Sequence, residues 1–126
     1  MPINWPIGSG DQFRGVVDRV KEEVILFDKA KRGAQSQEKR ISLEDKNLTN
    51  FIEEELLNNT LEELELLNEA GAKYEKDKVF RGDLTPVFFG SAMTNFGVRP
   101  FLDSFLNLAK KPSSRSSNQG LSLIHI

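Results

Sequence analysis

The chain of 126 residues contains no cysteine and only one histidine, one tyrosine and one tryptophan. Without cysteine it can form neither disulfide bonds nor thiolate metal sites, a composition that fits a reducing compartment. The one histidine, His125, lies in a terminal segment without periodic pattern. We therefore assign it no role.

An excess of charge and a long apolar run are also missing. The formal net charge is −2 and the pI is about 5.5, so we expect no global electrostatic attraction to nucleic acid, and no DNA partner. No stretch approaches the roughly 20 apolar residues of a membrane span, and no signal-peptide pattern opens the chain. We expect a cytoplasmic protein that does not bind membranes.

The most informative stretch is residues 84–98, with the sequence LTPVFFGSAMTNFGV. Residues 87–89 form a continuous apolar run, which is typical of a strand buried on both faces. In open α/β sheets, ligands bind beyond the carboxyl ends of the strands. The small residues that follow, Gly90, Ser91 and Ala92, let the backbone approach a ligand. On their local sequence alone, a plain strand-to-helix connection without a ligand is favoured.

The first third of the chain has β character. Residues 12–18 and 23–27 are β-rich and joined by a charged link at 19–22, which predicts a hairpin, and residues 41–43 predict a brief further strand. The loop at 28–39 is basic but lacks interleaved aromatics, so a solvated turn is favoured over an RNA contact. Trp5, which stands beside a proline, is read as a packed anchor rather than a base-stacking platform.

A helical pattern follows between residues 48 and 70. Asn58 and Asn59 interrupt its apolar stripe, and residues 60–63 (TLEE) fit a capping box, so we expect a fresh helix to begin at Thr60. Gly71 is a suitable C-terminal stop. The glutamates of this region are interpreted as a solvated helix face, which is favoured over a docking surface for a basic protein.

Another short helical turn is predicted at 74–81, ended by Gly82, and a longer helix is predicted with Pro100 in its first turn. Its apolar residues recur at helical spacing, and we expect them to face the core and pack on the sheet. These residues are Phe101, Leu102, Phe105, Leu108 and Ala109.

Four segments result from these patterns: 1–47 as a β-hairpin region, 48–82 as a helical insert, 83–111 as core strand, loop and helix, and 112–126 as a tail. The tail is rich in serine and ends in LSLIHI. Such a composition behaves as a flexible linker. We expect the tail to be disordered and foreign to the fold.

Three blocks of the sequence resemble the translational GTPases. The Ser91-Ala92 pair lies between TPVFFG and NFGV, as in the fifth guanine-nucleotide motif of that family. The segment WPIG at 5–8, followed by FRGVVD at 13–18, resembles the region after the Asn-Lys-x-Asp motif, and LELL at 64–67 before Ala70-Gly71 is a weaker match. The resemblance covers residues 3–111 and is strongest to the GTPase of bacterial translation termination.

The resemblance implies an α/β fold: a partial P-loop-type GTPase domain with its last core strand and helix, an inserted β-hairpin and a helical subdomain. Guanine would be contacted by Ser91, Ala92 and Met93, where Met93 replaces the more common leucine or lysine. The full-length parent would bind GTP or GDP with Mg²⁺ and act on the ribosome to release and recycle the codon-reading release factors.

Two other assignments compete with this one. Elongation factor G and the ribosomal-protection GTPases share Pro-Ile-Gly, Phe-x-Gly-Val-Val-Asp and a Gly-Ser-Ala loop with this chain. Trp5 and the pair Phe88-Phe89 favour the termination GTPase over them. An alternative of another class is a non-enzymatic module that uses its hairpin and acidic helices to bind a partner protein.

The chain lacks the sequences that carry phosphoryl transfer. It contains no Gly-x-x-x-x-Gly-Lys-[Ser/Thr] loop, no Asp-x-x-Gly switch and no Asn-Lys-x-Asp motif. Because hydrolysis requires a phosphate cradle, Mg²⁺ ligands and a water-positioning residue together, we expect this chain to correspond to the C-terminal part of a GTPase domain.

We predict that the purified chain hydrolyses no GTP. The measurement is phosphate release with and without a Mg²⁺ chelator. Chelator-sensitive turnover in a preparation free of contaminating GTPase would contradict the prediction.

Overall fold

A computed structural model describes residues 1–27, 37–71, 73–112, 114–117 and 120–123 of the chain. Most of the basic loop predicted at 28–39 lies outside the described residues, as does His125. The described chain is a small α/β unit. Its elements are β1 (Asn4–Ile7), β2 (Gly15–Asp18), β3 (Glu23–Phe27), β4 (Glu38–Ser42), α1 (Glu54–Glu69), α2 (Lys76–Arg81), α3 (Val98–Leu108), β5 (Ser114–Ser117) and β6 (Gly120–Leu123), with 3₁₀ turns at Gly10–Gln12 and Lys46–Asn50.

The first four strands form one antiparallel sheet in the order β1-β2-β3-β4. The predicted hairpin is confirmed as β2 and β3, and the brief strand near Ile41 is confirmed as part of β4. The turn between β2 and β3 is fixed by the nearly buried Asp18 carboxylate, which accepts the amides of Val20 and Lys21, both at 3.0 Å. An aspartate that bonds the backbone after it stabilises a tight reversal.

One face of the sheet and α1 enclose the main hydrophobic core. Side chains alternate between the two faces of a strand. Val17 lies opposite Val24 on the neighbouring strand, and Val24 lies opposite Ile41, so all three side chains are on this face. The buried cluster consists of Ile7, Val17, Val24, Ile41, Leu48, Ile52, Leu57 and Leu64. Burial of these side chains provides the largest favourable contribution to folding.

Helix α1 is longer than the sequence predicts. It runs without a break through Asn58 and Asn59, and Thr60 lies buried inside it rather than at its start. The Thr60 hydroxyl donates to the carbonyl oxygen of Leu56 at 2.8 Å, so the predicted capping box is wrong. Packing of the helix against the sheet outweighs the local preference for a new start. Gly71, with φ of +77°, does follow the helix end as predicted.

Arg19 ties the β2–β3 turn to two distant segments. Its Nη1 donates to the carbonyl oxygen of Pro2 at 2.7 Å, and its Nη2 donates to Oδ1 of Asn68 at 2.8 Å. Partial burial lowers the pKa of the guanidinium from its usual value. The turn is thereby linked both to the start of the chain and to the end of α1.

The second face of the sheet also buries apolar side chains. Val16 and Ile25 are fully buried on this face. A cavity of about 130 Å³ lies between Ile3 and Asp18 on one side and Ser104 and Leu108 of α3 on the other.

The predicted burial of α3 is wrong. No residue of the helix is buried, and the large side chains Phe101, Leu102 and Phe105 are exposed. Helical periodicity identifies an apolar face but cannot say whether the described fold has a surface to cover it. Helix α2, in contrast, is confirmed, and Gly82 ends it with φ of +86°.

The segment predicted as a buried central strand is also more exposed than expected. Val87 forms a single parallel bridge with Pro2, and 44% of Val87 is exposed. Its amide donates to the Met1 carbonyl oxygen, and its carbonyl oxygen accepts the Ile3 amide, each at 2.9 Å. Within the described ranges, the four-stranded sheet is antiparallel, and this bridge is the isolated parallel contact.

The predicted tail contains regular structure in its described part. Strands β5 and β6 pair with each other as an antiparallel hairpin, with Ser114 opposite Leu123. We expected disorder here because the composition is polar and serine-rich. Among the described helices, none combines the length and apolarity needed to cross a membrane.

We predict opposite outcomes for two truncations of apolar side chains. Ile52→Ala removes a side chain that is 2% exposed, and should lower the free energy of unfolding by about 2–5 kcal/mol. Phe105→Ala alters a side chain that is 51% exposed, and should change it by no more than about 0.5 kcal/mol. Urea denaturation of both variants measures the difference. A larger loss for Phe105→Ala would mean that this side chain is buried in solution.

Candidate functional site

The loop at residues 90–97 is held to the sheet by the buried side chain of Asn4. Asn4 Nδ2 donates to the Phe89 carbonyl oxygen at 3.0 Å, and the Phe89 amide donates to Asn4 Oδ1 at 2.7 Å. A side-chain amide has both a donor and an acceptor and can therefore replace a neighbouring strand. Phe89 consequently has a fixed position just before the loop.

The loop itself is a tight reversal closed by one main-chain bond. The Ser91 amide donates to the carbonyl oxygen of Phe96 at 2.9 Å. Gly97 has φ of +72°, and a Cβ there would lie 2.9 Å from the Phe89 carbonyl oxygen. Glycine is therefore required where the two arms of the loop cross.

Aromatic packing fixes the far side of the loop. The ring of Phe96 stacks on Phe13, with centroids 4.1 Å apart, and lies 5.6 Å from the ring of Phe27. Phe13 precedes β2 and Phe27 ends β3. The loop is thus anchored to the antiparallel hairpin as well as to β1.

A cavity of about 420 Å³ borders this loop. The side chains and main chain around it are uncharged, which suits a flat, neutral group better than a phosphate. Its lining consists of Pro86, Phe88, Phe89, Gly90, Ser91, Ala92, Gly97, Val98 and Phe101. The predicted contact loop therefore lies beside an open space large enough for a small ligand.

The three predicted contact residues differ in their placement. Ser91 and Ala92 border the cavity, whereas Met93 does not and is 78% exposed. The Ser91 amide is already engaged by Phe96, so its hydroxyl is the group left to bind a ligand. Among the described residues, no acceptor bonds the amides of Ala92 and Met93.

Trp5 connects the loop region with α1. Its ring meets Phe89 edge to face at 5.3 Å, and its Nε1 donates to Glu63 Oε2 at 2.7 Å. The interpretation of Trp5 as a packed anchor agrees with these contacts. Asn4 was missed by sequence reasoning; its one sequence signal was a polar residue between Ile3 and Trp5 in a β-rich stretch.

Metal-binding groups are not assembled in the described part of the chain, where no cluster of three or more histidine, aspartate or glutamate side chains suits a metal ion. The site residues offer main-chain amides, one hydroxyl and aromatic surface. This chemistry supports binding and orientation of a ligand.

Comparison with curated proteins finds relatives that share a single name. The chain is 46% identical over 121 residues to peptide chain release factor 3 of Microcystis aeruginosa, covering 95% of the chain and 22% of that protein. It is 48% identical over 120 residues to the same factor of Gloeothece citriformis (94% and 22%) and 48% over 119 residues to that of Synechococcus elongatus (94% and 21%). No protein-family model matches the chain.

These matches leave about a twentieth of the chain uncovered, so they extend past Lys111 into the segment 112–126. The resemblance therefore does not end where the sequence pattern indicated. The chain spans about a fifth of the length of these relatives. By sequence, the chain is homologous to a segment of peptide chain release factor 3.

Proposed function

We propose that the chain is the guanine-contacting segment of a GTP-dependent translation termination factor. The observation that carries the proposal is the uncharged cavity beside Ser91 and Ala92 in a chain homologous to release factor 3. The segment holds the base of the nucleotide, and other parts of the factor hold its phosphates. It corresponds to the last part of a P-loop-type GTPase domain.

The proposed contact distinguishes guanine from adenine by hydrogen-bond polarity. The carbonyl oxygen of guanine accepts a hydrogen bond, whereas adenine carries an amino donor at the same ring position. The Ala92 amide is a donor without an acceptor among the described residues, so it can bond guanine but would leave adenine's amino group unpaired. Phe88 and Phe101 provide apolar surface at the cavity for the flat base.

Asn4 supports this contact indirectly. Its two bonds to Phe89 fix the backbone two residues before Ser91, and Gly97 lets the returning arm of the loop pass close to Phe89. A rigid loop loses little conformational entropy when a ligand binds. The loop is therefore suited to a specific contact even though it contributes few groups.

In the whole factor, GTP or GDP would bind with Mg²⁺, and the factor would act on the ribosome to release and recycle the codon-reading release factors. The shared name of the relatives supports this assignment over one to elongation factor G or ribosomal-protection GTPases. We place the protein in the cytoplasm with the rest of the translation machinery.

A titration of the ¹⁵N-labelled chain with GMP tests the base contact. We expect weak binding with amide shift changes centred on Ala92. The ligand control is 2-aminopurine riboside monophosphate, which lacks the carbonyl oxygen of guanine and should bind about tenfold more weakly, as expected for one lost hydrogen bond.

Two variants distinguish the contribution of the Ala92 N–H group from that of the loop conformation. Ala92→Pro removes the N–H group and should weaken GMP binding about tenfold, whereas Ala92→Gly retains it and should bind like the parent chain. Equal binding of GMP and the 2-aminopurine nucleotide, or shifts only at distant residues, would refute the guanine contact.

A further inference from the structure

The residue just before the candidate loop, Phe89, is contacted by the indole of Trp5. The two rings meet edge to face, with centroids 5.3 Å apart and an interplanar angle of 74°. An aromatic pair in this geometry is stabilised beyond the apolar area that it buries. Since Gly90 and Ser91 follow Phe89 directly, the position of the indole affects the position of the loop.

The indole of Trp5 is in turn held by helix α1. Its Nε1 donates to Oε2 of Glu63 at 2.7 Å, which joins residues 58 positions apart in the chain. A hydrogen bond to an ionised carboxylate is shorter and stronger than one between neutral groups. Helix α1 is a firm support for this bond, because its residues Leu57 and Leu64 belong to the main hydrophobic core.

Two consecutive residues of β1 therefore hold Phe89 in different ways. Asn4 bonds the main chain of Phe89 through its side-chain amide, whereas Trp5 packs against the ring. The first contact fixes the path of the backbone, and the second restrains the side chain. Of the two, the Trp5 contact is the one that a residue outside β1 supports.

We propose that Glu63 is a positioning residue for the candidate site. It acts on the loop at residues 90–97 through the Trp5 indole and the Phe89 ring. The ligand of the site is the guanine nucleotide of the proposed function, on which this assignment rests. Glu63 is not among the residues that border the cavity, so it touches no ligand. The loop is thereby coupled to a helix that contributes no group to the site.

Nuclear magnetic resonance of the ¹⁵N-labelled whole chain tests this coupling before any nucleotide is added. Trp5 is the one tryptophan of the chain, so its indole N–H gives a single resonance. Glu63→Ala should move that resonance upfield, because the N–H proton loses its carboxylate acceptor. If the indole positions the loop, the amide resonances of Phe89, Ser91 and Ala92 should shift as well.

Two further variants on α1 separate the hydrogen bond from the charge. Glu65→Ala removes another exposed carboxylate of the same helix, which has no hydrogen bond or ion pair among the described residues, and should leave the loop resonances unchanged. Glu63→Gln removes the charge but retains an oxygen that can accept the indole N–H. It should therefore keep the loop resonances close to those of the parent chain.

Trp5→Phe tests whether the effect of Glu63 passes through the indole. Phenylalanine keeps an aromatic ring beside Phe89 but has no N–H group to donate. In this background Glu63→Ala should cause no further shift in the loop, because the two residues act through one bond. Equal effects of Glu63→Ala with and without the indole would overturn the proposal. So would a loop that does not respond to Glu63→Ala although the indole resonance moves. Dispersed amide resonances in the rest of the sheet confirm that each variant is folded.

Binding of GMP gives the second readout. Glu63→Ala should weaken it about three- to tenfold, as expected for coupling through intermediate side chains, whereas Glu63→Gln should bind like the parent chain. Equal GMP affinity of the parent chain and Glu63→Ala would overturn the role of Glu63 and leave the guanine contact standing. A parent chain that binds no GMP would refute the guanine contact, and the shifts in the ligand-free chain would still decide whether Glu63 positions the loop.

Discussion

The two hydrogen bonds between the Asn4 side chain and the main chain of Phe89 join parts of the chain 85 residues apart. Beside them, Val87 forms main-chain hydrogen bonds with Met1 and Ile3. Together these bonds between residues 1–4 and 87–89 form a seam. Strand β1 therefore has two roles: it pairs with β2 on one edge and holds the 85–89 segment on the other. Without these bonds, the contacts described here that hold the Ser91–Ala92 loop to the sheet would be the aromatic stack around Phe96 and the contact of Phe89 with Trp5. The position of the candidate site depends on one buried polar side chain, because the parallel contact beside it is a single bridge.

The two faces of the antiparallel sheet are buried to different degrees. On one face, α1 buries a continuous aliphatic cluster that includes Ile7, Ile52 and Leu64. Val16 and Ile25 are buried on the other face, while α3 keeps much of its own apolar surface exposed. The stable core and the candidate site are therefore segregated. The Ser91–Ala92 loop and α3 lie outside the core beneath α1, where apolar area is still exposed.

Local pattern predicted those elements whose stabilising contacts are close in sequence. The β2–β3 hairpin, the glycine stops at Gly71 and Gly82 and the helix after Gly97 all depend on neighbours a few residues away. Errors arose where distant packing decided. Thr60 has the sequence of a helix start, but contact of α1 with the sheet keeps it inside one continuous helix. Phe105 has the spacing of a core residue, but no described element covers it.

The sequence by itself determined that the chain resembles the translational GTPases, because family motifs are written in residue order, and it located the Ser91–Ala92 loop. It also determined the periodicity of each helix and strand, since that depends on local geometry. Only the tertiary structure decided which amides of the loop remain without partners, which side of α3 faces solvent, and that Asn4 holds the loop in place. These properties depend on contacts between residues far apart in the chain, and no local pattern encodes the distance between them.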